Sequence, residues 1–350
     1  MVDNGVLPSI TSYNNMIIGS CRNGNMDRAL ELFSELPKKH LKANVITYSI
    51  LIDGYFRKGD SDKAENMFNQ MSSSGIFPTD YTFNIVISGM SKVGKTSEAK
   101  DLLKQIVASG LFLPTCMSYN SLINGFLKED DVNSALTVYR EMCDNGICPD
   151  VVTYTTLIDG LCKSNNIDLA LKILTEMRNR EIKLDVITYA VLIDGFCKRR
   201  DMKSASQLFD EILQVGLSPN LFVYNSMLSG FRNDRKIVLA SDLFTEMLGK
   251  GITPDDITYT VLVHSLCNRG QVENAYKILE EMCKKSITPS VLIYNTLIAG
   301  YFRDGTLQEA FRLHDEMLDK GLTPDDMTYD ILISGKLKEN SLGVGISMPQ

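Results

Sequence analysis

Residues 89–96 (GMSKVGKT) match the pattern G-x-x-x-x-G-K-[ST], whose backbone amides cradle a nucleotide phosphate while its lysine contacts that phosphate. Such a loop requires a β-strand before the first glycine and a helix after the lysine. Here Gly89 and Gly94 occupy the same positions of a 35-residue repeat as Gly300 and Gly305, and the residues before Gly300 have helical periodicity. The residues before Gly89 are therefore predicted to form a helix rather than a strand, and we expect no nucleotide site.

The eight cysteines and three histidines do not form a metal-binding pattern. No CxxC occurs, and the histidines share no cluster with the cysteines, so the spacing of a zinc site is missing. Most cysteines recur at two positions of the repeat, as expected for buried thiols in a reducing compartment. They are Cys21, Cys162, Cys197 and Cys267 at one position and Cys143 and Cys283 at the other. We expect no metal, no cofactor and no enzymatic activity.

One position of the repeat is basic in most copies, although the chain is acidic overall, with a formal net charge of −7. Eight of ten copies are basic, whereas 36 Lys and Arg in 350 residues would place about one there. The basic copies are Arg22, Arg57, Lys92, Lys128, Lys163, Lys198, Arg303 and Lys338, and the other two are Asn233 and Asn268. Because a row of cations attracts a polyanion, this basic column is a candidate for contacts to nucleic-acid phosphates.

A second explanation of the basic column is that cations stabilise the C-terminal end of a helix, where backbone carbonyls lack partners. A position in the second half of the repeat is acidic in most copies. Its members are Glu35, Gln70, Gln105, Glu141, Glu176, Glu211, Glu246, Glu281 and Glu316. Because negative charge is kept in that half of the repeat, the pattern favours a basic stripe along one groove.

The elements that must position these side chains are clearest in Val291–Asp325. Apolar residues from Tyr294 onward recur every three or four positions, as in a helix with one buried face, until Gly305 interrupts them. Thr306 and Glu309 then have the S/T-x-x-E form of a capping box, which predicts the start of a second helix. Two short amphipathic helices cannot bury both their faces alone, so the hairpin needs neighbours like itself.

Those neighbours occur along the whole chain at a period of 35 residues, with one step of 36 after Gly110. The aromatic position is Tyr13, Tyr48, Phe83, Tyr119, Tyr154, Tyr189, Tyr224, Tyr259, Tyr294 and Tyr329. An alanine recurs without exception in the second helix, at Ala29, Ala64, Ala99, Ala135, Ala170, Ala205, Ala240, Ala275 and Ala310. A small residue at one fixed phase predicts a close helix crossing, and a fixed period of this size is typical of a solenoid.

We therefore expect an all-α protein, a right-handed α-solenoid superhelix of helix-turn-helix repeats. Nine full repeats are predicted at residues 10–44, 45–79, 80–115, 116–150, 151–185, 186–220, 221–255, 256–290 and 291–325. Residues 1–9 match the end of a repeat, and residues 326–350 a partial repeat with a tail. No apolar run reaches about 18 residues, the length of a membrane span, so no membrane association is expected.

The repeated T-Y-N-x-L-I-x-G, followed by E-A, E-M and G-x-x-P-D, resembles the pentatricopeptide-repeat (PPR) family in its plain 35-residue form. The resemblance covers residues 1–335. It implies sequence-specific binding of single-stranded RNA, with one base read per repeat. It also implies a role in RNA processing, stability, splicing or translation in mitochondria or chloroplasts, alongside other RNA-processing proteins.

Two points stay open beside the resemblance. A helical-repeat scaffold that binds proteins, without RNA specificity, is the alternative function. The first residues resemble neither a secretory signal nor an Arg- and Ser-rich transit peptide. We therefore expect either a segment of a longer protein or a chain whose targeting sequence has been removed.

In the family resembled, a base is read by the residue after the aromatic together with the last residue of the repeat. On a helical wheel Asn295 and Arg303 share a face directed away from the apolar residues, which suits such a role. The resemblance implies the pairs Asn14/Asn44, Ser49/Thr79, Asn84/Thr115, Asn120/Asp150, Thr155/Asp185, Ala190/Asn220, Asn225/Asp255, Thr260/Ser290 and Asn295/Asp325. The competing explanation for the second members is helix capping, because Asp and Asn are common N-caps.

The residue code of the family resembled, with N-terminal repeats at the RNA 5′ side, implies a target sequence, and the chemistry of the side chains rationalises that code. Asn at the first position leaves room for a pyrimidine, and Thr or Ser admits a purine. A terminal Asp accepts from the ring N–H of U or G, while a terminal Asn suits A or C. The predicted target is 5′-YRYUGAURU-3′, although Ser49/Thr79, Ala190/Asn220 and Thr260/Ser290 depart from the common pairs. The side chains expected to wedge between bases are Ile46, Val152, Ile187, Phe222, Ile257 and Leu292.

Overall fold

The computed structural model describes the backbone of residues 8–233 and 237–343, which form 19 α-helices and no β-strand. The helices are α1 (Ile10–Arg22), α2 (Met26–Lys38), α3 (Val45–Lys58), α4 (Ser61–Ser73), α5 (Asp80–Lys92), α6 (Thr96–Ala108), α7 (Cys116–Lys128), α8 (Val132–Asp144), α9 (Val151–Lys163), α10 (Ile167–Asn179), α11 (Val186–Lys198), α12 (Met202–Gln214), α13 (Leu221–Asn233), α14 (Ile237–Gly249), α15 (Asp256–Asn268), α16 (Val272–Lys284), α17 (Val291–Asp304), α18 (Leu307–Asp319) and α19 (Asp326–Gly343). None of them is long and apolar enough to cross a membrane.

The helices are arranged in two compact units, Met1–Lys183 and Leu184–Gln350. Within each unit an even-numbered helix packs on the odd-numbered helix before it, and the odd-numbered helices pack on one another in order. In the first unit this series is α1, α3, α5, α7 and α9, and in the second it is α11, α13, α15, α17 and α19. The predicted all-α class, built of stacked helical hairpins, is confirmed.

Most of the first helices begin at a polar last residue of the preceding repeat. Asp150 accepts a hydrogen bond from the backbone N–H of Thr153 at 2.8 Å, and the Thr153 hydroxyl pairs with the N–H of Asp150 at 3.2 Å. Such a capping box satisfies two backbone groups that the helix itself leaves unpaired. The capping box predicted at Thr306 is wrong, because its hydroxyl donates to the Tyr301 carbonyl at 3.3 Å instead.

The recurring small residues lie where elements approach most closely. Each alanine of the second-helix column is fully buried. Gly89 in α5 lies against the Phe56 ring of α3, and a Cβ at Gly89 would come within 2.3 Å of that ring. Gly89 therefore serves helix packing, and residues 89–96 follow a helix rather than the strand that a phosphate loop requires. Gly94, with φ of +82°, lies just beyond the end of α5.

Replacing Gly89 by alanine should destabilise the protein by about 1–3 kcal/mol, the usual cost of overpacking a core. The matched control is Gly19→Ala, at the same position of the first repeat, where a Cβ meets nothing within 4 Å. In α1 the alanine should stabilise by about 0.5–1 kcal/mol, because glycine disfavours the helix. Urea denaturation midpoints measure both changes. Shifts of the same sign would contradict the packing role of Gly89.

Candidate nucleic-acid interface

Four of the predicted base-reading pairs are joined directly by hydrogen bonds. Each pair links the first helix of one repeat to the residue that begins the first helix of the next, 30 residues later. The amide nitrogen of the first member donates to the second at 3.4 Å in Asn14/Asn44, 3.4 Å in Asn120/Asp150, 3.0 Å in Asn225/Asp255 and 2.9 Å in Asn295/Asp325. The two members of each of these pairs, although 30 residues apart in the sequence, are therefore in direct contact.

The second members of these pairs cap helices as well. Asp255 Oδ1 accepts from the backbone N–H of Thr258 at 2.9 Å, and Asn225 donates to both carboxylate oxygens at 3.0 Å. The Thr258 hydroxyl in turn donates to Asn225 Oδ1 at 2.7 Å. Capping and pairing therefore use the same carboxylate. The Asp255 carboxylate keeps lone pairs on Oδ2 for a further donor, because a carboxylate has about four acceptor sites.

The first members are less exposed than the helical wheel indicated. Asn295 is 1% exposed, whereas Arg303 on the same helix is exposed. The wheel treated α17 alone, but α19 packs on it, and Thr328 of α19 donates to Asn295 Oδ1 at 2.8 Å. The predicted outward direction of Asn295 is therefore wrong. Asn14 and Asn225 are buried in the same way, so a base would meet the mouth of each pair rather than an open helix face.

Two of the remaining pairs are linked through a third residue. Ser49 and Thr79 both bond to Thr82, at 3.0 and 3.2 Å. Asn84 accepts from the Ser118 hydroxyl at 2.8 Å, and that hydroxyl also accepts from the backbone N–H of Thr115.

In two further pairs, one polar side chain bonds to the backbone of a helix. Ala190 has no polar group, and Asn220 caps α13 through the N–H of Val223. Thr260 donates to the backbone carbonyl of Asp256, four residues before it, and Ser290 begins α17. Thr155 and Asp185 belong to different units.

A row of apolar side chains lies exposed in the first turn of most of the first helices. The six predicted wedges, Ile46, Val152, Ile187, Phe222, Ile257 and Leu292, are each between 50% and 59% exposed. Tyr81, Met117 and Met327 occupy the same position and are between 54% and 68% exposed. We missed these three because we selected residues by their type. Their position in the repeat would have found them.

Predicted base-reading residues and exposed apolar side chains line the same cavities. In the second unit, Asn225 and Asp255 line a cavity of about 520 Å³ together with Phe222 and Ile257. In the first unit, Asn84 lines a smaller cavity of about 150 Å³ whose wall includes the wedge residues Tyr81 and Met117. Each such cavity, which we call a slot, offers polar groups between two apolar side chains. That arrangement fits a flat, hydrogen-bonding ring.

Three of the terminal aspartates, Asp150, Asp255 and Asp325, are held in their charged form. Burial alone would raise the pKa of Asp255, but hydrogen bonds from Thr258 and Asn225 outweigh it and lower the pKa below its usual value. The same balance lowers the pKa of Asp150, and the Asn295 amide is the main cause of the lowered pKa of Asp325. At neutral pH these carboxylates therefore act only as hydrogen-bond acceptors.

The basic column is exposed wherever the structure describes its side chains. These residues are Arg22, Arg57, Lys92, Lys128, Lys163, Lys198 and Arg303. Lys338 lies in α19, but its side chain is outside the described residues. Three of the cations pair with an aspartate four residues earlier, at 2.6 Å in Asp53/Arg57, Asp159/Lys163 and Asp194/Lys198. The sequence reading overlooked these carboxylates, which lower the positive charge of the column.

The acidic column of the second helices has a role inside the repeat. Its glutamates accept hydrogen bonds from the aromatic column in Tyr13/Glu35 at 3.3 Å, Tyr154/Glu176 at 3.4 Å, Tyr189/Glu211 at 2.8 Å, Tyr224/Glu246 at 3.1 Å, Tyr259/Glu281 at 3.4 Å and Tyr294/Glu316 at 3.0 Å. In three repeats a lysine one turn later pairs with the glutamate and lies 5.5–6.0 Å from the centre of the tyrosine ring. Packing within each repeat thus accounts for much of the charge segregation.

The other chemical candidates are occupied by structural contacts. Lys95 of the phosphate-loop pattern pairs with Glu65 at 3.0 Å, and the buried Thr96 hydroxyl donates to Glu129 at 2.5 Å. In the part of the chain that the structure describes, no group of three His, Cys, Asp or Glu side chains is placed to hold a metal ion.

The fold and the slots define a helical-hairpin repeat protein in which successive repeats present related polar–apolar sites. The chain belongs to the PPR repeat family. The family matches residues 8–57, 44–92, 114–163, 149–198, 185–233, 219–268 and 289–338, and single PPR repeats match residues 81–111 and 257–287.

Among solved structures, the chain is similar to the pentatricopeptide repeat protein PPR10 from maize. The TM-score is 0.63 at 21% identity, covering 98% of this chain and 58% of the maize chain. PPR10 in complex with an 18-nucleotide psaJ RNA element matches at a TM-score of 0.46 and 25% identity, covering 96% and 52%. A mitochondrial pentatricopeptide repeat-containing protein of Arabidopsis thaliana is 60% identical over 37 residues, which are 11% of this chain and 4% of that protein.

Proposed function

We propose that this protein binds single-stranded RNA sequence-specifically, with one base placed at the mouth of each reading pair. The observation that carries the proposal is the slot of Asn225 and Asp255. There a charged acceptor and an amide lie beside the exposed side chains of Phe222 and Ile257. Single-stranded bases are recognised by stacking on such side chains and by hydrogen bonds to their exposed edges.

The base at each slot follows from the donors and acceptors present. Asp150, Asp255 and Asp325 each pair with an asparagine and keep a carboxylate that accepts from a ring N–H, which U carries and C lacks. These pairs would contact the fourth, seventh and ninth bases of the proposed target 5′-YRYUGAURU-3′. The other bases rest on the residue code of the family alone.

The seven described cations of the basic column supply contacts that do not depend on sequence. Phosphate contacts position a strand, while base contacts specify it. By occupying RNA, without catalysis of its own, the protein would guide the stability, processing, splicing or translation of a transcript, alone or with other RNA-processing proteins. Family membership and the mitochondrial Arabidopsis relative favour an organellar site of action, in mitochondria or chloroplasts.

The salt dependence of RNA binding tests the proposal. For single strands, log K falls by roughly 0.7 per unit of log salt for each phosphate neutralised, so seven cations permit a slope down to about −5. We expect a slope between about −2 and −5 with the proposed target, and tighter binding than to a shuffled sequence. Fluorescence anisotropy from 50 to 500 mM salt measures both. A slope near zero, or no binding, would favour the protein-binding scaffold.

A further inference from the structure

The cations of the basic column fall into two classes. Arg57, Lys163 and Lys198 each lie one helical turn after an aspartate, with a nitrogen–oxygen distance of 2.6 Å. Lys92 and Lys128 follow a serine and an asparagine at that place, and they make no ion pair with another described residue. Arg303 follows an alanine, and its contact is to the Asn268 side-chain oxygen at 3.3 Å.

The three aspartates, which we call the groove aspartates, are Asp53, Asp159 and Asp194. Each of them lines a cavity, and the cavities of Asp53 and Asp194 include predicted base-reading residues. Asp53 shares its cavity with Asn84 and Tyr81, and Asp159 lines one of about 680 Å³ with Lys128 and Thr156.

The slot in the second unit shows this arrangement best. Asp194 shares the slot of Asn225 and Asp255, and it accepts from the Ser226 hydroxyl at 3.2 Å. The Asp194 carboxylate thus lies close to where the neighbouring cations would contact RNA phosphates.

The effect of these carboxylates on RNA binding depends on how strongly they hold the neighbouring cations. Exposed pairs four residues apart on a helix are weak, so the lysine or arginine can turn toward a phosphate. The aspartate carboxylate keeps its place on the helix. A phosphate that contacts the neighbouring cation would lie within the screening length of about 8 Å from this carboxylate at physiological salt. The carboxylate therefore repels the phosphate that its neighbour attracts. The net attraction at these three repeats is smaller than at Lys92, Lys128 and Arg303.

We propose that Asp53, Asp159 and Asp194 lower the affinity for RNA that does not depend on its sequence. This inference rests on the proposed RNA binding. Repulsion of phosphates weakens every strand alike, so a strand without matching bases is released at concentrations where a matching strand stays bound. The groove aspartates therefore set the overall strength of RNA binding and leave the base preference unchanged, whereas Asp150, Asp255 and Asp325 are the residues proposed to accept from bases.

The test is the triple variant D53N/D159N/D194N. Its matched control is D144N/D210N/D319N, which removes three exposed carboxylates of second helices and reaches the same net charge, −7 + 3 = −4. Binding is measured with the proposed target and with a shuffled RNA at 50 and 500 mM salt. We expect the groove variant to bind both RNAs about tenfold more tightly at low salt, with a smaller gain at high salt. The control should change by less than about twofold.

A reciprocal variant installs the missing carboxylates. S88D/N124D places an aspartate one turn before Lys92 and Lys128, and we expect both RNAs to bind more weakly while circular dichroism stays unchanged. The preference for the target over the shuffled RNA should stay constant throughout.

Three results would overturn the role. The groove variant could bind more weakly, which would make the aspartates supports that orient the cations. It could gain no more than the control, or it could change the base preference. Failure of the wild-type protein to bind RNA would instead remove the proposed function itself.

Discussion

Replacing Lys92, Lys128 and Arg303 together by glutamine should lower the affinity for every single-stranded RNA by about a hundredfold at 0.1 M salt. The salt slope should become shallower by about 2, because each lost phosphate contact removes roughly 0.7. Glutamine keeps a polar, hydrogen-bonding side chain without the charge, so the loss mainly reports charge. Titrations at several salt concentrations give both numbers.

Unlike Arg57, Lys163 and Lys198, these three cations make no ion pair with another described residue. Arg57, by contrast, already has the carboxylate of Asp53 at 2.6 Å, and its removal would leave that carboxylate facing the strand. The matched control replaces Lys172, Lys203 and Lys277, which are exposed on second helices, by glutamine. It changes net charge equally, and we expect little effect on RNA. Equal losses in both variants would mean that the overall field of the protein, and not the basic column, attracts RNA.

The preference among sequences should survive in the K92Q/K128Q/R303Q variant. Cations that touch phosphates contribute the same free energy to every strand, so the ratio of affinities for the target and a shuffled RNA stays constant. A loss of preference with an unchanged slope would instead place these side chains on bases.

Much of the fold was predictable because one residue pattern recurs ten times. The aromatic and alanine positions repeat at a fixed phase, and the structure buries almost all of the aromatic position and every alanine. Helix starts were predictable for the same reason, since Asp and Asn before a helix satisfy unpaired amides. The capping box at Thr306 failed because a competing acceptor, the Tyr301 carbonyl, lies within reach of the hydroxyl.

The site was harder to predict because it depends on contacts between repeats. A wheel drawn for one helix directs Asn295 outward, yet the next first helix covers it and Thr328 bonds to it. The aspartates that pair with Arg57, Lys163 and Lys198 occur in only three repeats, so a column-by-column reading passes over them. Tyr81 and Met117 are not aliphatic residues of the branched type that the prediction favoured. They lie in the apolar row because of their position in the repeat.

Changing Asp255 to asparagine should convert the preference at the seventh base from U to C. The carboxylate accepts from the ring N–H of U, whereas an amide can donate to the ring nitrogen of C. A hydrogen-bonded base contact is worth roughly 1–3 kcal/mol, so each protein should prefer its own base by about tenfold or more. Competition between target RNAs that differ only at this base measures the switch.

The chain already contains the pair that this variant would create. In the first repeat Asn14 donates to Asn44 Oδ1 at 3.4 Å, and Asn44 still caps α3 through the N–H of Thr47 at 3.0 Å. Asn and Asp cap helices about equally well, so the free energy of unfolding should hardly change. The reciprocal change Asn44→Asp should turn the first base toward U by the same chemistry.

The neighbouring Asp256→Asn is the matched control for Asp255→Asn, because it makes the same chemical and charge change one residue away. Asp256 is exposed in the first turn of α15 and lines neither slot. It should leave the preference at the seventh base, and at the other eight, where they are in the wild-type protein. If Asp255→Asn weakened U and C equally, or lowered stability while the control did not, Asp255 would be a helix cap alone. A switch confined to the seventh base requires instead that the carboxylate capping α15 also accepts from the RNA.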